Sequence, residues 1–228
     1  MDITGRKVVV VGLGQTAVSL VQLLLKQGAC PFVTDNSENE KQRPWREAIE
    51  KLGVPCEVGG HTNAAFRDAA LVIPSPGVPP HIEPIERAVA AGAELLGEME
   101  FASRYCRSRV LAVTGTNGKT TTTELLRCLV EAAGHSVVLA GNNAFPFSAA
   151  VQIEPVPEYI VLEVSSYQLE TAKTFRPYMA AVLNVTPDHF ARHKTLENYA
   201  DVKASIFSHQ RGGDIHVADR HPLPADVA

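Results

Sequence analysis

The stretch VLAVTGTNGKTTTTELL, residues Val110–Leu126, decides how the rest of the chain is interpreted. Its apolar start, Val110–Val113, predicts a short buried strand, and the residues from Lys119 through Val130 predict a helix. The glycine loop between them would direct several backbone N–H groups toward one point, where the helix dipole adds positive potential. This combination favours a site for a nucleotide phosphate over an ordinary strand–turn–helix corner.

Two side chains at the start of this helix suit phosphate chemistry. Lys119 would reach the outer phosphates of a nucleotide, and the Thr120 hydroxyl would lie where a magnesium ion needs a ligand. The strict phosphate-loop pattern has a glycine at position 113, where this chain has Val113. The loop is therefore a variant, and its flexible points are Gly115 and Gly118.

The composition describes a globular α/β protein. The chain has 228 residues, of which 45% are hydrophobic and 20% are charged, and a net charge of −4. This charge argues against non-specific binding to nucleic acid or to an anionic membrane. No apolar run approaches the length of a membrane span, and no signal-peptide pattern is present. The scattered cysteines Cys30, Cys56, Cys106 and Cys128 predict reduced thiols in a cytoplasmic protein, not a disulfide or zinc framework.

A second glycine turn lies near the start of the chain. The apolar run Lys7–Val11 predicts a buried parallel strand, and Gly12–Ala17, GLGQTA, matches the dinucleotide-binding pattern G-x-G-x-x-A. The next predicted strand, Cys30–Thr34, ends at Asp35, a suitable place for a carboxylate that binds a ribose hydroxyl. On these residues alone, NAD binding is the first interpretation. The alternative is a tight turn that binds nothing.

Two phosphate-type loops, each between a strand and a helix, predict two α/β domains with separate parallel sheets. We expect a Rossmann-like domain over residues 1–96 and a P-loop-type domain over residues 97–228, because the strand–helix pattern restarts after Gly97. The stiff loop Pro74–Pro80 follows a predicted strand at Leu71–Ile73. Its Gly77 would let a ligand approach the backbone, although the residues alone favour a plain connector.

Four charged or titratable side chains in the second half stand out. Glu163 ends the apolar strand Tyr159–Val164, and either a magnesium ion or a structural salt bridge would offset its burial. His189 and His193 follow a strand four residues apart, but no HExxH glutamate accompanies them, so zinc is not favoured. His189 at a strand end suits a ligand site, with a surface histidine as the alternative. Lys203 lies on an amphipathic helix, where a lysine is usually solvated.

Seven segments taken together, in order and over nearly the whole chain, resemble the Mur ligases. They are GLGQT (Gly12–Thr16), SPG (Ser75–Gly77), GTNGKTT (Gly115–Thr121), GNN (Gly141–Asn143), LEVSSYQLE (Leu162–Glu170), NVTPDHFARH (Asn184–His193) and YADVKASIF (Tyr199–Phe207). Within the family, Asn117, the SSYQLE sequence and the N-terminal glycine turn are similar to the members that add D-glutamate.

The resemblance implies an ATP-dependent, amide-bond-forming ligase of peptidoglycan precursor synthesis in the cytoplasm. The implied ligands are ATP, Mg²⁺, UDP-N-acetylmuramoyl-L-alanine and D-glutamate, and the reaction proceeds through an acyl phosphate. The resemblance implies a monomer without a nucleic-acid or membrane partner.

The resemblance also implies roles residue by residue. The catalytic residues would be Lys119, Glu163, His189 and Lys203. The ATP-binding residues would be Gly115, Thr116, Asn117, Gly118, Lys119, Thr120 and Thr121. The substrate-binding residues would be Gly14, Gln15, Thr16, Asp35, Asn36, Ser75, Gly77, Asn142, Ser165 and His189. The magnesium ligands would be Thr120, Glu163, His189 and Lys203.

Two interpretations drawn from the residues change under this resemblance. The N-terminal glycine turn is implied to bind the UDP moiety and not NAD. Lys203 matches the family lysine that adds carbon dioxide and becomes a magnesium-binding carbamate. A lysine reacts in this way only as a free amine, so its surroundings must lower its pKa.

The chain departs from the family pattern at several places. GNIG is common where Gly141–Ala144 stands, an arginine is common after the Asp35 region where Asn36 and Ser37 stand, and Asp is usual at Ala191. Family members also carry a further C-terminal domain that helps to bind ATP and the incoming amino acid. We therefore expect a fragment that holds the UDP site and the phosphate loop without completing the amino-acid site.

Two other functions are weighed against this one. A ligase of the folylpolyglutamate type lacks the N-terminal UDP domain, so the Gly12–Ala17 pattern argues against it. An NAD- or nucleotide-binding sensor with a degenerate ligase domain is disfavoured because Lys119, Glu163, His189 and Lys203 are all retained. Binding of NAD would favour the sensor.

Overall fold

The computed structural model describes residues 1–142, 145–188 and 190–218 and divides the chain into two compact units, Met1–Ala102 and Ser103–Ala228. Each unit contains a parallel five-stranded sheet whose strands alternate with helices along the chain. This confirms the predicted α/β class, with a Rossmann-like first unit followed by a second α/β unit that carries the phosphate loop.

The first unit is organised around the central strand of its sheet. Its strands are β1 (Lys7–Val11), β2 (Cys30–Thr34), β3 (Cys56–Glu57), β4 (Leu71–Pro74) and β5 (Glu94–Leu95). Their order in the sheet is β3-β2-β1-β4-β5, and the four valines of β1 are fully buried. A run of valines that is buried on both faces is typical of a central parallel strand.

Helices connect these strands, and the connections set up a ligand crevice. The helices are α1 (Gln15–Lys26), α2 (Arg43–Lys51), α3 (Asn63–Phe66), α4 (Glu83–Ala90) and α5 (Glu98–Ser103), with a short 3-10 helix at Glu40–Gln42. The chain passes from β1 outward to β3 and then returns to the other side of β1 as β4. The loops after β1 and β4 therefore flank the point where the strand order reverses, which is where open parallel sheets bind ligands.

The second unit repeats this plan around β6. Its strands are β6 (Arg109–Thr114), β7 (Val137–Gly141), β8 (Tyr159–Glu163), β9 (Met179–Val182) and β10 (Ile215–Ala218), in the order β10-β9-β6-β8-β7. Its helices are α6 (Lys119–Ala132), α7 (Phe147–Ala150), α8 (Ser166–Leu169), α9 (Phe190–His193) and α10 (Leu196–Ala204), and a 3-10 turn follows at Ser205–Phe207. The strand order reverses between β6 and β9, so the loops after these two strands lie side by side.

The division between the units differs from the sequence interpretation. The first compact unit extends through Ala102, whereas the sequence interpretation places the boundary after Leu96. The difference is the helix α5, whose Met99 and Phe101 are buried. An apolar helix that follows a short strand without a proline or a polar linker gives no local signal of the unit to which it belongs.

The other long elements have the predicted type, with ends that differ by a few residues. The helix predicted over Leu196–Phe207 is α-helical only to Ala204 and then tightens into the 3-10 turn. β4 includes Pro74, which the sequence interpretation excludes, because this proline is the last residue of the strand and pairs with Val11. Within the described residues, no helix is long and apolar enough to cross a membrane.

Gly141 is a residue whose replacement should destabilise the second unit. It pairs with Glu163 across β7 and β8 and has a φ of +112°, and a Cβ built on it would lie 2.1 Å from the Glu163 carbonyl oxygen. We expect Gly141→Ala to lower the free energy of unfolding by about 3 kcal/mol, because the backbone of β8 must move. Urea denaturation measures the change.

Gly212→Ala is the matched control, since a Cβ there meets nothing within 4 Å. Equal stabilities of the two variants would show that Gly141 is not constrained by β8.

Candidate functional site

The loop between β6 and α6 has the geometry of an anion-binding site. Gly118 caps α6 with a left-handed φ of +82°, and no side chain caps this helix. Gly115 has a φ of +158°, and a Cβ there would lie 3.1 Å from Cβ of Leu183. The backbone N–H groups of Gly118, Lys119 and Thr120 meet no acceptor among the residues that the structure describes. Unsatisfied N–H groups at a helix N-terminus attract an anion.

The Lys119 side chain folds back over this loop. Its ammonium donates to the carbonyl oxygens of Gly115, at 3.0 Å, and Thr116, at 2.9 Å. The charge is therefore held next to the free N–H groups and adds to the positive potential at the start of α6. If a phosphate bound in the loop, the Lys119 ammonium would leave these carbonyl oxygens and contact the phosphate, which is a stronger interaction because the charges are opposite.

Glu163 lies at the end of β8, is 2% exposed and faces the start of α6. The Thr120 hydroxyl donates to its Oε2 at 2.9 Å, and Nδ2 of Asn142 donates to its Oε1 at 3.1 Å. In the described ranges, no lysine or arginine forms an ion pair with this carboxylate. A buried carboxylate with only neutral donors suits a cation, so the geometry gives no support to the structural salt bridge.

Lys203 is buried, and the expectation of a solvated lysine, drawn from its helix alone, is wrong. It is 1% exposed, and its ammonium donates to Gly115 O at 2.9 Å and lies 4.5 Å from the ring centre of Tyr199. Burial and then the charge of Lys119 lower its pKa to about 7, against the opposing charge of Asp188. α10 turns this side chain inward because the helix packs against the loop, which its own sequence does not reveal.

Of the two histidines that follow β9, the structure describes only His193. His189 lies outside the described residues, as do Asn143 of the GNN motif and the following Ala144. His193 is 5% exposed, and its Nε2 lies 2.9 Å from the Ser166 hydroxyl. Its ring packs beside those of Tyr167 and Tyr199. His193 is therefore a buried, hydrogen-bonded histidine of the core.

No group of three His, Cys, Asp or Glu side chains that could hold a metal occurs in the part of the chain that the structure describes. Because His189 lies outside the described residues, the expectation that the histidine pair does not form a zinc site stays a prediction.

Ser165, two residues after Glu163, has a structural role at the start of α8. It caps α8 through a capping box, in which Gln168 N donates to the Ser165 hydroxyl at 3.3 Å and Ser165 N donates to Gln168 Oε1 at 2.9 Å. Reciprocal caps of this kind fix a helix start. The predicted contact of Ser165 with substrate stays a prediction.

In the first unit, Asp35 organises the glycine turn after β1. Its Oδ2 accepts from Leu13 N at 2.7 Å, and its Oδ1 accepts from the N–H and the hydroxyl of Ser37 at 2.8 and 2.7 Å. Burial opposes ionisation, but these hydrogen bonds outweigh it and hold the pKa of Asp35 below its usual value. The side chain of Gln42 is a further donor that helps to lower the pKa of Asp35.

The other predicted residues of this unit lie in the loops that follow β1, β2 and β4 or in the first turn of α1. They are Gly14, Gln15, Thr16, Asn36, Ser75 and Gly77. Gly12 has a φ of +103°, and a Cβ there would lie 2.8 Å from the Ser75 hydroxyl, so the turns after β1 and β4 approach each other closely. A Cβ on Gly77 would meet nothing, so the fold does not require a glycine there.

Comparisons with known protein families identify both units. Residues 6–97 match the Mur ligase MurD-like N-terminal domain, and residues 113–222 match the Mur ligase middle domain. A UDP-N-acetylmuramoylalanine–D-glutamate ligase of Pelotomaculum thermopropionicum is 42% identical over 99% of this chain and 50% of its own length. The enzyme of that name from Koribacter versatilis is 39% identical over 97% of this chain and 49% of its own length. The chain thus spans about half the length of the curated relatives it matches.

Solved structures support the fold. The UDP-N-acetylmuramate:L-alanyl-gamma-D-glutamyl-meso-diaminopimelate ligase of Neisseria meningitides has a TM-score of 0.63 at 17% identity, covering 96% of this chain and 72% of that one. The UDP-N-acetylmuramate-alanine ligase of Thermotoga maritima has a TM-score of 0.57 at 22% identity, covering 97% and 51%.

The buried Lys203 predicts a pH dependence of stability. Below about pH 7 the folded and unfolded states both carry the proton and the folded state bears the full cost of the buried charge. Between about pH 7 and the ordinary value of 10.5, the unfolded chain binds more protons, so the contribution to stability rises with pH. The slope approaches about 1.4 kcal/mol per pH unit.

Lys203→Met removes this contribution. The stability of the original protein relative to this variant should therefore increase between about pH 7 and about pH 9.5, as measured by urea denaturation in buffer free of carbon dioxide. Lys173→Met, at an exposed lysine of the same unit, is the control and should show no such trend. A difference between the original protein and Lys203→Met that does not change with pH would contradict the lowered pKa.

Proposed function

The chain belongs to the Mur ligase family, and on this basis we propose that it supplies the UDP-substrate unit and the ATP unit of a ligase that joins D-glutamate to UDP-N-acetylmuramoyl-L-alanine. The reaction belongs to peptidoglycan precursor synthesis, in the cytoplasm. The observation that carries the proposal is the meeting of a phosphate loop, a buried acidic side chain and a buried lysine at the carboxyl ends of β6 and β8.

The phosphate loop is the proposed ATP site. The N–H groups of Gly118, Lys119 and Thr120 would bind the outer phosphates, and the Lys119 ammonium would leave the loop carbonyls to contact them. The implied roles of Gly115, Thr116, Asn117 and Thr121 follow from the same loop. Donors that are fixed before the ligand arrives neutralise developing charge with little reorganisation.

The proposed magnesium site is the pair formed by Thr120 and Glu163. Their oxygens are the ligand type that magnesium prefers, and Glu163 has no cationic partner in the described part of the chain. When bound, the ion would neutralise the charge of the transferred phosphoryl group. Asn142, which holds the other oxygen of Glu163, would orient that carboxylate and is a proposed contact for substrate. His189 remains a proposed ligand from the family resemblance.

We include the carbamylation of Lys203 in the proposal. With a pKa of about 7, a large share of this amine is neutral near neutral pH. The neutral nitrogen would form a bond to the carbon of carbon dioxide and release a proton, which leaves a carbamate. The cation beside Gly115 would become a carboxylate-like group that can bind magnesium. Burial supports this step because it excludes competing water and favours the uncharged amine.

The loops of the first unit are the proposed site for the UDP moiety. The start of α1 at Gly14–Thr16 offers a helix N-terminus for the diphosphate. Asp35 would accept from a donor of the uridine, and Asn36, Ser75 and Gly77 lie in adjacent loops. We prefer the UDP moiety to NAD as the ligand of this turn, and the family match over residues 6–97 supports this preference.

In the proposed reaction, the substrate carboxylate attacks the γ-phosphate of ATP and forms an acyl phosphate with release of ADP. The amine of D-glutamate then attacks the acyl carbon, and phosphate leaves. Both reactants of the first step are anions, so catalysis is mainly positioning and neutralisation of charge. We propose a monomer whose ligands are small molecules, without nucleic acid or membrane.

Lys119→Ala tests the ATP site. We expect the dissociation constant for ATP with Mg²⁺ to rise about tenfold to a hundredfold, because a charged hydrogen bond to phosphate is lost. Isothermal titration calorimetry on this chain measures it. Lys173→Ala is the control for a lost positive charge. Unchanged affinity in Lys119→Ala would show that ATP binds elsewhere, and no binding by the original protein would contradict the nucleotide site.

A further inference from the structure

Asn184 lies beside the phosphate loop because of the way β9 joins the sheet. β9 pairs with β6, and the chain leaves both strands in the same direction. Leu183 N donates to Thr114 O at 2.9 Å, and Thr116 N donates to Asn184 O at 3.0 Å. The segment after β9 therefore follows the loop closely for several residues beyond the end of the sheet.

The side-chain amide of Asn184 binds one peptide of the loop at two points. Asn117 N donates to Oδ1 of Asn184 at 2.9 Å, and Nδ2 of Asn184 donates to Asn117 O at 3.0 Å. The amide orientation follows from its partners, since the reversed orientation would place donor against donor and acceptor against acceptor. No other side-chain type of this size offers a donor and an acceptor in this arrangement.

These two bonds affect which donors the loop presents. In a regular α-helix the carbonyl oxygen of Asn117 would accept from the N–H of Thr121, four residues later. Here it accepts from Nδ2 of Asn184 instead. Asn117 N–H is also occupied, so the free donors begin at Gly118. The Asn184 amide thus separates the part of the loop that is tied to the protein from the part that is open to a ligand.

A loop with two glycines needs such a restraint. Gly115 and Gly118 both have positive φ values, and glycine gives the chain many alternative conformations. Other bonds hold the residues before Asn117: Thr186 N donates to the Thr116 hydroxyl at 3.0 Å, and the ammonium groups of Lys119 and Lys203 donate to Gly115 O. Among the described residues, only the Asn184 side chain binds the Asn117 peptide. Asn184 is only partly buried, whereas β6 and β9 hold the sheet through their own backbone bonds. Loss of the Asn184 amide should therefore loosen the loop more than it weakens the fold.

We propose that Asn184 is a positioning residue that holds the phosphate loop in its anion-binding conformation by fixing the Asn117 peptide. It does not itself contact the phosphate. This role rests on the proposed binding of ATP by the same loop. Its contribution is pre-organisation, since a loop that is already ordered spends less binding free energy on becoming ordered.

Asn184→Ala tests the role through two independent measurements. Calorimetry with ATP and Mg²⁺ should show a dissociation constant about tenfold higher. Amide hydrogen exchange without nucleotide should become faster at Thr116, whose N–H bonds to the Asn184 backbone, as well as at Asn117. It should stay unchanged in β6, with little change in melting temperature. Asn198→Ala is the matched control, since that side chain also binds a backbone carbonyl, His193 O, at 3.3 Å.

Asn184→Asp is a second variant of nearly the same shape. It keeps an acceptor for Asn117 N–H but places an oxygen against Asn117 O, so it should also speed exchange in the loop. Unchanged loop exchange and unchanged affinity in both variants would overturn the proposal. Faster loop exchange with no ATP binding by the original protein would support the positioning role and contradict the proposed nucleotide function.

Discussion

The second unit depends on the pairing of β6 with β8 on one side and β9 on the other. In this register Val113 lies opposite Glu163, and Thr114 lies opposite Val182. The carboxylate, the glycine loop and the segment that begins at Asn184 therefore emerge at the same edge of the sheet. A parallel arrangement is needed for this, because only parallel neighbours end at the same side. The order of the strands alone therefore determines which loops and strand ends form the site.

Charge at this edge is arranged at a cost to stability. Glu163 is buried with neutral donors, and the pKa of Lys203 is lowered first by burial and then by the charge of Lys119. Each arrangement disfavours the empty folded state and favours binding of groups of opposite charge. A polyanion with a divalent cation supplies both charges at once. Buried charges of this kind are typical of a binding site, where the side chains needed for function lower the stability of the folded protein.

Much of the fold could be predicted because its signals are local. The buried run of β1 and the strand β2 have the predicted ends, and Gly118, predicted as a flexible point of the loop, is the left-handed cap of α6. The burial of Lys203 could not be predicted from α10 alone, because it depends on packing against a loop that is distant in sequence. The hydrophobic periodicity of the sequence does not reveal the short helices α7 and α8, because each has only one turn. Asn184 carried a weak signal, an amide directly after a strand, which becomes meaningful only once β6 and β9 are neighbours.

The central claim is that the first unit binds a UDP-linked substrate for the ATP unit that follows. Calorimetric titration of the chain with UDP-N-acetylmuramoyl-L-alanine, with NAD as the parallel ligand, tests it most directly. The account predicts saturable binding of the UDP-sugar and no heat of binding with NAD. Binding of NAD without binding of the UDP-sugar would contradict it and would favour a dinucleotide-binding sensor.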